Sequence, residues 1–446
     1  MATALEMKLN PNQKDLLSTL LNQLWRLISG PITILLIPIY LSATQQGYWY
    51  LFGSISALSI LANLGFSNII LQYSAHEFAH LGFNSKGALE GEEIHLKKIG
   101  SFFRFILKWT GTICLIVFPV IYCVGIWFFN HDNVLSEYII PWSIYSIGSL
   151  LIFFNNAILS FVEGMNKIKT IQYIRFYVAI INTVLVSLIL IFGGGIYALA
   201  FGMFISASSI FIFIFRKFHS LLSQILDVSK NFSYKWLEEV LPLFSKYAIS
   251  FFSSYFIFQI YIPIMQYFHG PIESGKVGIT FVVVMAIFST SNIWIYTIIP
   301  KMNMLVSQNS KVELDSIFGK RLLFASFTYI IISLSFFVFI AIFKDFWIFP
   351  KIISRFLSAQ ALLTLSACYF FQLLINSWAT YLRAHKKEPY MIPSLIVAIW
   401  VFISTVLISK YLPPEYFFTG FLSSYIWWTP LAYFIYKRCQ LKWYGK

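Results

Sequence analysis

Twelve long, unbroken apolar runs decide what this chain can become. They lie at Leu17–Leu41, Tyr48–Tyr73, Phe102–Phe129, Tyr138–Val162, Ile171–Phe192, Ile196–Phe215, Leu241–Phe268, Val277–Ile299, Leu322–Phe343, Leu357–Tyr381, Ile392–Ser409 and Phe418–Tyr436. A helix needs about 20 such residues to cross the hydrocarbon core of a bilayer. Inside that core every backbone polar group has to be satisfied locally, which leaves helices and closed barrels. Barrel strands are short and alternate in polarity, whereas these runs are continuous. The predicted fold class is therefore an all-α polytopic membrane protein with 12 transmembrane helices. Composition agrees: only 11% of the residues are charged and 58% are hydrophobic, against about 25% charged in a soluble domain. So apolar a surface would aggregate in water. Soluble enzymes, secreted disulfide scaffolds and disordered chains are excluded.

Charge sets the orientation. The 32 Lys and Arg outnumber the 18 Asp and Glu, a net +14. With the amino terminus inside, Lys276, Lys344, Lys351, Arg355 and Lys410 are the basic residues of the outer segments. The others fall on inner loops, inner helix ends, or the first and seventh helices. The positive-inside rule favours this arrangement, so both termini are expected in the cytoplasm. The excess is then a topology signal, and no nucleic-acid partner is expected. The first apolar run is too long for a signal peptide and is expected to stay as an anchor. Two inner loops, Ser74–Gly100 and Lys217–Val240, are long enough for short amphipathic helices on the headgroups.

The two halves repeat. Ile37-Pro38-Ile39 matches Ile262-Pro263-Ile264 at an offset of 225, and Ser67-Asn68-Ile69 matches Ser291-Asn292-Ile293 at 224. Asn156, Ser160 and Glu163 are echoed by Asn376, Thr380 and Arg383 at 220. Two copies with six spans each share one orientation, as parallel transporter repeats do. The expected organisation is an N-lobe, 1–222, and a C-lobe, 223–446, related by a pseudo-two-fold axis along the membrane normal, with a cavity that opens to either side by rocking.

Charge inside a span is costly, about 2.5–3.5 kcal/mol at mid-bilayer on insertion scales, so intramembrane polar residues are expected to face the interior. Asn22, Arg26 and Gly30 are spaced by four in the first helix, and Lys246, Ser250 and Ser253 form a similar stripe in the seventh. Arg26 and Lys246 are the candidate substrate-binding cations, suited to a phosphate or diphosphate through charge-assisted hydrogen bonds. The alternative is that they snorkel to the interface. Asn22, Asn63, Asn68, Gln72, Ser250 and Asn292 are cavity-lining candidates or helix-to-helix bonds. Glu163 and Arg383, equivalent in position and opposite in charge, suggest an inner gate or two solvated helix ends. Arg104, Lys108 and Arg175 read as topology determinants or ligands.

One motif points toward an enzyme. His76-Glu77-Phe78-Ala79-His80 fits H-E-x-x-H, which on a helix presents two zinc ligands and a general base. A catalytic zinc needs a third protein ligand, and no companion motif supplies one. No catalytic residue, metal or cofactor is therefore expected.

The stretch Trp25–Glu77, with LWRLISGPITILLIPIYLS, QQGYWYLFGS and LGFSNIILQYSAHE, resembles the bacterial O-antigen and polysaccharide flippases of the multidrug/oligosaccharidyl-lipid/polysaccharide transporter superfamily. The resemblance is specific over the first two helices and looser beyond them. It implies a multi-pass protein of the bacterial inner membrane that carries undecaprenyl-diphosphate-linked oligosaccharide from the inner to the outer leaflet. It further implies a cationic cavity lined by helices one, two, seven and eight, with membrane lipids and a polysaccharide polymerase machinery as partners. The alternatives are an exporter of small cationic drugs from the same superfamily, and an intramembrane zinc protease through His76, Glu77 and His80.

Overall fold

The computed structural model describes residues 11–85, 87–385 and 388–444. Some side chains within its helices, those of Arg26, Lys246 and Ser250 among them, lie outside the described residues. The chain is mostly helical: α1 (Pro11–Tyr40), α2 (Ala43–Ser56), α3 (Ser59–Asn63), α4 (Phe66–Phe78), α5 (Glu93–His131), α6 (Leu135–Gly164), α7 (Ile168–Ile191), α8 (Tyr197–Val228), α9 (Trp236–Phe258), α10 (Tyr261–Tyr296), α11 (Ile299–Ser307), α12 (Lys311–Phe343), α13 (Phe349–Ile353), α14 (Ala359–Ala384), α15 (Met391–Tyr411) and α16 (Thr419–Tyr444).

Nearly all of each expected run is helical. The number long and apolar enough to cross a membrane is eight among the described residues, or up to nine if Ala43–Asn63 and Phe66–Phe78, bent by 44°, form one span. The count among the described residues differs from twelve at three places. Ile28–Tyr40, the part of the first helix whose side chains are all described, is apolar but shorter than a span. The seventh and eighth runs share one stretch, Phe251–Ser307, with a kink at Gly270, whose φ is 81° and which precedes Pro271. The last helix, α16, is not among the qualifying spans, because its charge-free stretch, residues 419–436, is rich in Tyr, Trp, Ser and Thr and carries Pro430.

The expectation of amphipathic helices in the two inner loops is corrected. In Ser74–Gly100 the chain forms a two-stranded antiparallel hairpin, β1 (Leu81–Phe83) with β2 (Leu89–Gly91), in register Leu81 to Gly91 and Phe83 to Leu89. Two three-residue strands are too short to be stable alone. The side chain of Gln224, on α8, supports them by accepting from Leu89 N at 3.0 Å and donating to Leu89 O at 2.9 Å. In Lys217–Val240 the membrane helix α8 simply continues to Val228, and α9 begins at Trp236. The guanidinium of Arg104 closes the end of α8, donating to the backbone oxygens of Ser229, Lys230 and Phe232. A cation on orphan carbonyls at a helix C-terminus is favourable both as a cap and toward the helix dipole.

By contacts the chain forms two compact units. The first comprises residues up to Leu36 and Ile55–Phe251. Its core gathers Phe66, Phe102, Phe103, Phe161 and Trp236, with Phe102 and Trp236 ring centroids 4.6 Å apart and Phe103 and Phe161 4.7 Å apart. Trp236 donates its indole N–H to Ser101 Oγ at 3.1 Å, so even this buried ring leaves no polar atom unpaired.

The second unit comprises Ile37–Ser54 and the chain from Phe252 on. Its core is an aromatic cluster around Tyr261, Phe281, Tyr369, Phe418 and Phe421. Residues 37–54 belong to this unit because α2 meets α10 backbone to backbone. A Cβ on Gly47 would lie 2.0 Å from Pro271 O, and one on Gly275 would lie 2.9 Å from Gly47 N. Small residues allow such approach between membrane helices, where packing rather than hydrophobicity drives association. Side-chain hydrogen bonds hold the same segment. Gln46 Nε2 donates to Gly275 O at 2.9 Å and Ser54 Oγ to Gln259 O at 2.8 Å. Lys351 Nζ donates to Ile39 O at 2.7 Å and Arg355 Nη2 to Leu41 O at 3.0 Å.

Candidate functional site

The polar stripe of the first helix opens onto a connected network in the first unit. Asn22, on α1, is buried and donates from Nδ2 to Gln172 Oε1 at 2.9 Å. Gln172, on α7, donates in turn to Glu163 Oε1 at 3.2 Å. Arg175, one turn further along α7, grips Glu163 with both guanidinium nitrogens, at 3.2 and 2.7 Å. A two-pronged Arg–carboxylate pair is the strongest and most directional form of this contact. It is largely shielded, with the Glu163 side chain 13% exposed and that of Arg175 26%. The α6–α7 turn brings the two together: α6 ends at Gly164, Asn166 adopts a positive φ of 60°, and α7 starts at Ile168.

This arrangement engages the expected gate residues locally. Glu163 is held by Arg175, and Arg383 donates to Glu388 Oε1 at 2.9 Å. Gln172 is a member of the network that sequence reasoning missed, and Arg175 was read there only as a topology determinant or ligand. Their one signal was the i,i+3 spacing that sets them on one helix face. Arg26 lies one turn beyond Asn22 in α1, and Lys246 and Ser250 lie in α9; their side chains are outside the described residues.

Of the remaining candidates, Asn63 has a local structural role. The second span breaks after it, where Leu64 and Gly65 take positive φ values of 42° and 81°. Asn63 Oδ1 accepts from Ser67 N at 3.1 Å and its Nδ2 donates to Ser67 Oγ at 2.8 Å, closing the first turn of α4. Asn68 and Gln72 lie on the exposed side of α4. Asn292 is the reverse case: it is fully buried in α10, and neither side-chain polar atom has a hydrogen-bond partner among the described residues. Its sequence counterpart Asn68 is exposed, so the matched tripeptides occupy different surroundings.

The H-E-x-x-H segment does not keep its helical geometry. α4 ends at Phe78, and His80 follows in a turn. Glu77 is buried and its Oε2 accepts from His95 Nδ1 at 2.7 Å, while the His95 ring stacks on His80 at 4.0 Å. His76 is exposed, its ring centroid 6.5 Å from that of His80. Among the described residues no group of three or more His, Cys, Asp or Glu is placed to hold a metal ion.

With this geometry in hand, solved structures of similar fold can be compared. An inward-facing multidrug resistance MATE family transporter of the MOP superfamily superposes with a TM-score of 0.58 at 16% identity, over 95% of this chain and 96% of that one. The outward-facing form of a multidrug resistance MATE family transporter gives 0.56 at 14% identity, over 98% of both chains. A MATE in complex with MaL6 gives 0.55 at 13% identity, again over 98% of both. The fold is that of the MATE transporters. No protein-family model matches the sequence, and no curated protein does.

Proposed function

We propose that this protein is a flippase that moves undecaprenyl-diphosphate-linked oligosaccharide from the inner to the outer leaflet of the bacterial inner membrane by alternating access. The lobes expected at 1–222 and 223–446 would rock, and a single cycle would carry one headgroup. The polyprenyl tail can stay in lipid, so the protein has only the diphosphate and the sugars to shelter. Arg26 and Lys246 supply the cationic attraction to the diphosphate, and Asn22 with other polar side chains bonds the sugars. The observation that carries the reading is the state of Glu163. Its carboxylate is consumed by Arg175 and so offers no free negative charge to a cationic drug, while Arg26 stands on the helix to which that network connects through Asn22. Membrane lipids and a polysaccharide polymerase machinery are the proposed partners.

The test is Arg26→Ala, scored by surface polysaccharide in cells that express the variant at the normal level. Loss of surface polysaccharide is expected, with a milder defect for Arg26→Lys if charge dominates and an equal one if the planar fork is needed. A fully active Arg26→Ala defeats the reading. A second reading, export of small cationic drugs, draws on the likeness to multidrug resistance transporters. It is favoured if the purified protein, reconstituted in liposomes, carries a cationic dye and not a lipid-linked oligosaccharide.

A further inference from the structure

Three of the five basic residues assigned by charge bias to the outer segments come together. Lys276, Lys351 and Arg355 line one cavity of about 270 Å³ in the second unit, with Gln46 and Ser354. They arrive from α10, α13 and the loop after α13, so their meeting is a product of the fold rather than of one basic stretch. Each cation is only partly engaged. Lys276 Nζ pairs with Glu273 Oε1 at 2.7 Å, Lys351 Nζ gives one hydrogen bond to Ile39 O, and Arg355 Nη2 gives one to Leu41 O. Arg355 Nη1 is buried with no hydrogen-bond partner among the described residues. Gln46, 1% exposed, spends its amide nitrogen on Gly275 O and Arg355 O, while its Oε1 has no hydrogen-bond partner among the described residues. Three cations against the Glu273 carboxylate leave the site at +2. A buried charged donor left unpaired is costlier than a neutral one, and burial also pulls the Arg355 guanidinium below its ordinary pKa.

We propose that this cavity binds the phosphate groups of a lipid headgroup, and that in the transport cycle it receives the diphosphate of the cargo on the release side. The affinity for phosphate stands on the cavity alone; the identity of the cargo rests on the function proposed above. A multiply charged tetrahedral anion can accept from Arg355, Lys276 and Lys351 together and neutralise the +2 of the site, whereas a singly charged carboxylate leaves one positive charge over. At roughly 30 Å³ of liquid volume per water, the cavity holds about nine waters' worth of space, room for a diphosphate but not for a sugar chain besides.

The experiment titrates inorganic pyrophosphate into the full-length protein in phosphatidylcholine nanodiscs, by calorimetry, in an Arg26→Ala background that removes the cation of the proposed transport site. Binding is expected to persist there and to weaken at least tenfold on Lys276→Gln, whose side chain holds no backbone of residues 37–54. Arg355→Lys, which keeps the charge and loses the fork, should weaken it several-fold. Lys344→Gln, an outer cation that does not line the cavity, should leave it unchanged. No binding in the Arg26→Ala protein, or equal weakening by Lys344→Gln and Lys276→Gln, overturns the proposal. Repeating the titration in phosphatidylglycerol nanodiscs separates the sources. A tenfold loss of apparent affinity supports a phosphate site held by bilayer lipid, and no loss supports one reserved for cargo. A flipping assay on the same Arg26→Ala protein reports separately on the transport function, so either idea can fail alone.

Discussion

Gly47 is the position where one methyl group should do the most damage. It lies where α2 crosses α10, and a Cβ there would stand 2.0 Å from Pro271 O, 2.6 Å from Pro271 C and 2.9 Å from Pro271 Cα. All three are backbone atoms, so no side chain can swing away. Ordinary contact begins at 3.4 Å, and reaching it along the Cβ–O line requires the two helices to part by 3.4 − 2.0 = 1.4 Å. That displacement carries Gln46 Nε2 out of hydrogen-bond range of Gly275 O, now at 2.9 Å. Overpacking costs about 1–3 kcal/mol, and the lost hydrogen bond adds about 1 kcal/mol. Gly47→Ala should therefore destabilise the protein by about 2–4 kcal/mol. Gly53→Ala is the internal control: it sits on the same helix with nothing within 4 Å of its added Cβ, so it should be neutral or gain about 0.5–1 kcal/mol from helix propensity. Equilibrium unfolding in mixed detergent micelles, followed by tryptophan fluorescence, reads the difference. If the two variants unfold at the same denaturing-detergent fraction, the backbone contact between α2 and α10 is not what holds residues 37–54 in the second unit.

Three further outcomes follow from the first unit. Glu163→Gln leaves the Arg175 guanidinium half-buried without its carboxylate and should cost about 1–3 kcal/mol; adding Arg175→Met should restore part of it, and a double-mutant cycle with no coupling would contradict the pairing. Asn63→Ala removes both side-chain hydrogen bonds to Ser67 at the first turn of α4 and should lower stability by about 1 kcal/mol. Asn63→Ser, which keeps an acceptor, should lose less, and equal loss in the two variants would show that bonding Ser67 is not its role. Gln224→Ala takes away both side-chain bonds to Leu89, so hydrogen exchange at the Leu89 amide should quicken markedly while the core amides of α5 keep their rates.

What could be read in advance divides along a physical line. Apolar runs of membrane length announce their helices because composition alone imposes them: in hydrocarbon no other open structure satisfies the backbone. Departures from the expected pattern arise where a single residue's backbone or a distant partner decides. The break at Leu64 depends on a leucine holding a positive φ, a conformation that no propensity scale assigns to it. The hairpin at 81–91 is too short to signal itself and is completed by Gln224, 135 residues away. The duplication directed attention to Glu163 and Arg383 as a matched pair, yet Arg175 is 12 residues from Glu163 and reaches it across one turn, and a nearby partner costs less chain entropy to bring into place than a distant one. The outer cations show the same limit from the other side. In the sequence Lys276, Lys351 and Arg355 are exceptions to a charge bias, scattered over 80 positions; only the fold turns those exceptions into one cavity. Residues that violate a compositional rule in a membrane chain are costly, so a location that gathers several of them is where binding chemistry should be sought first, ahead of residues that merely obey the rule.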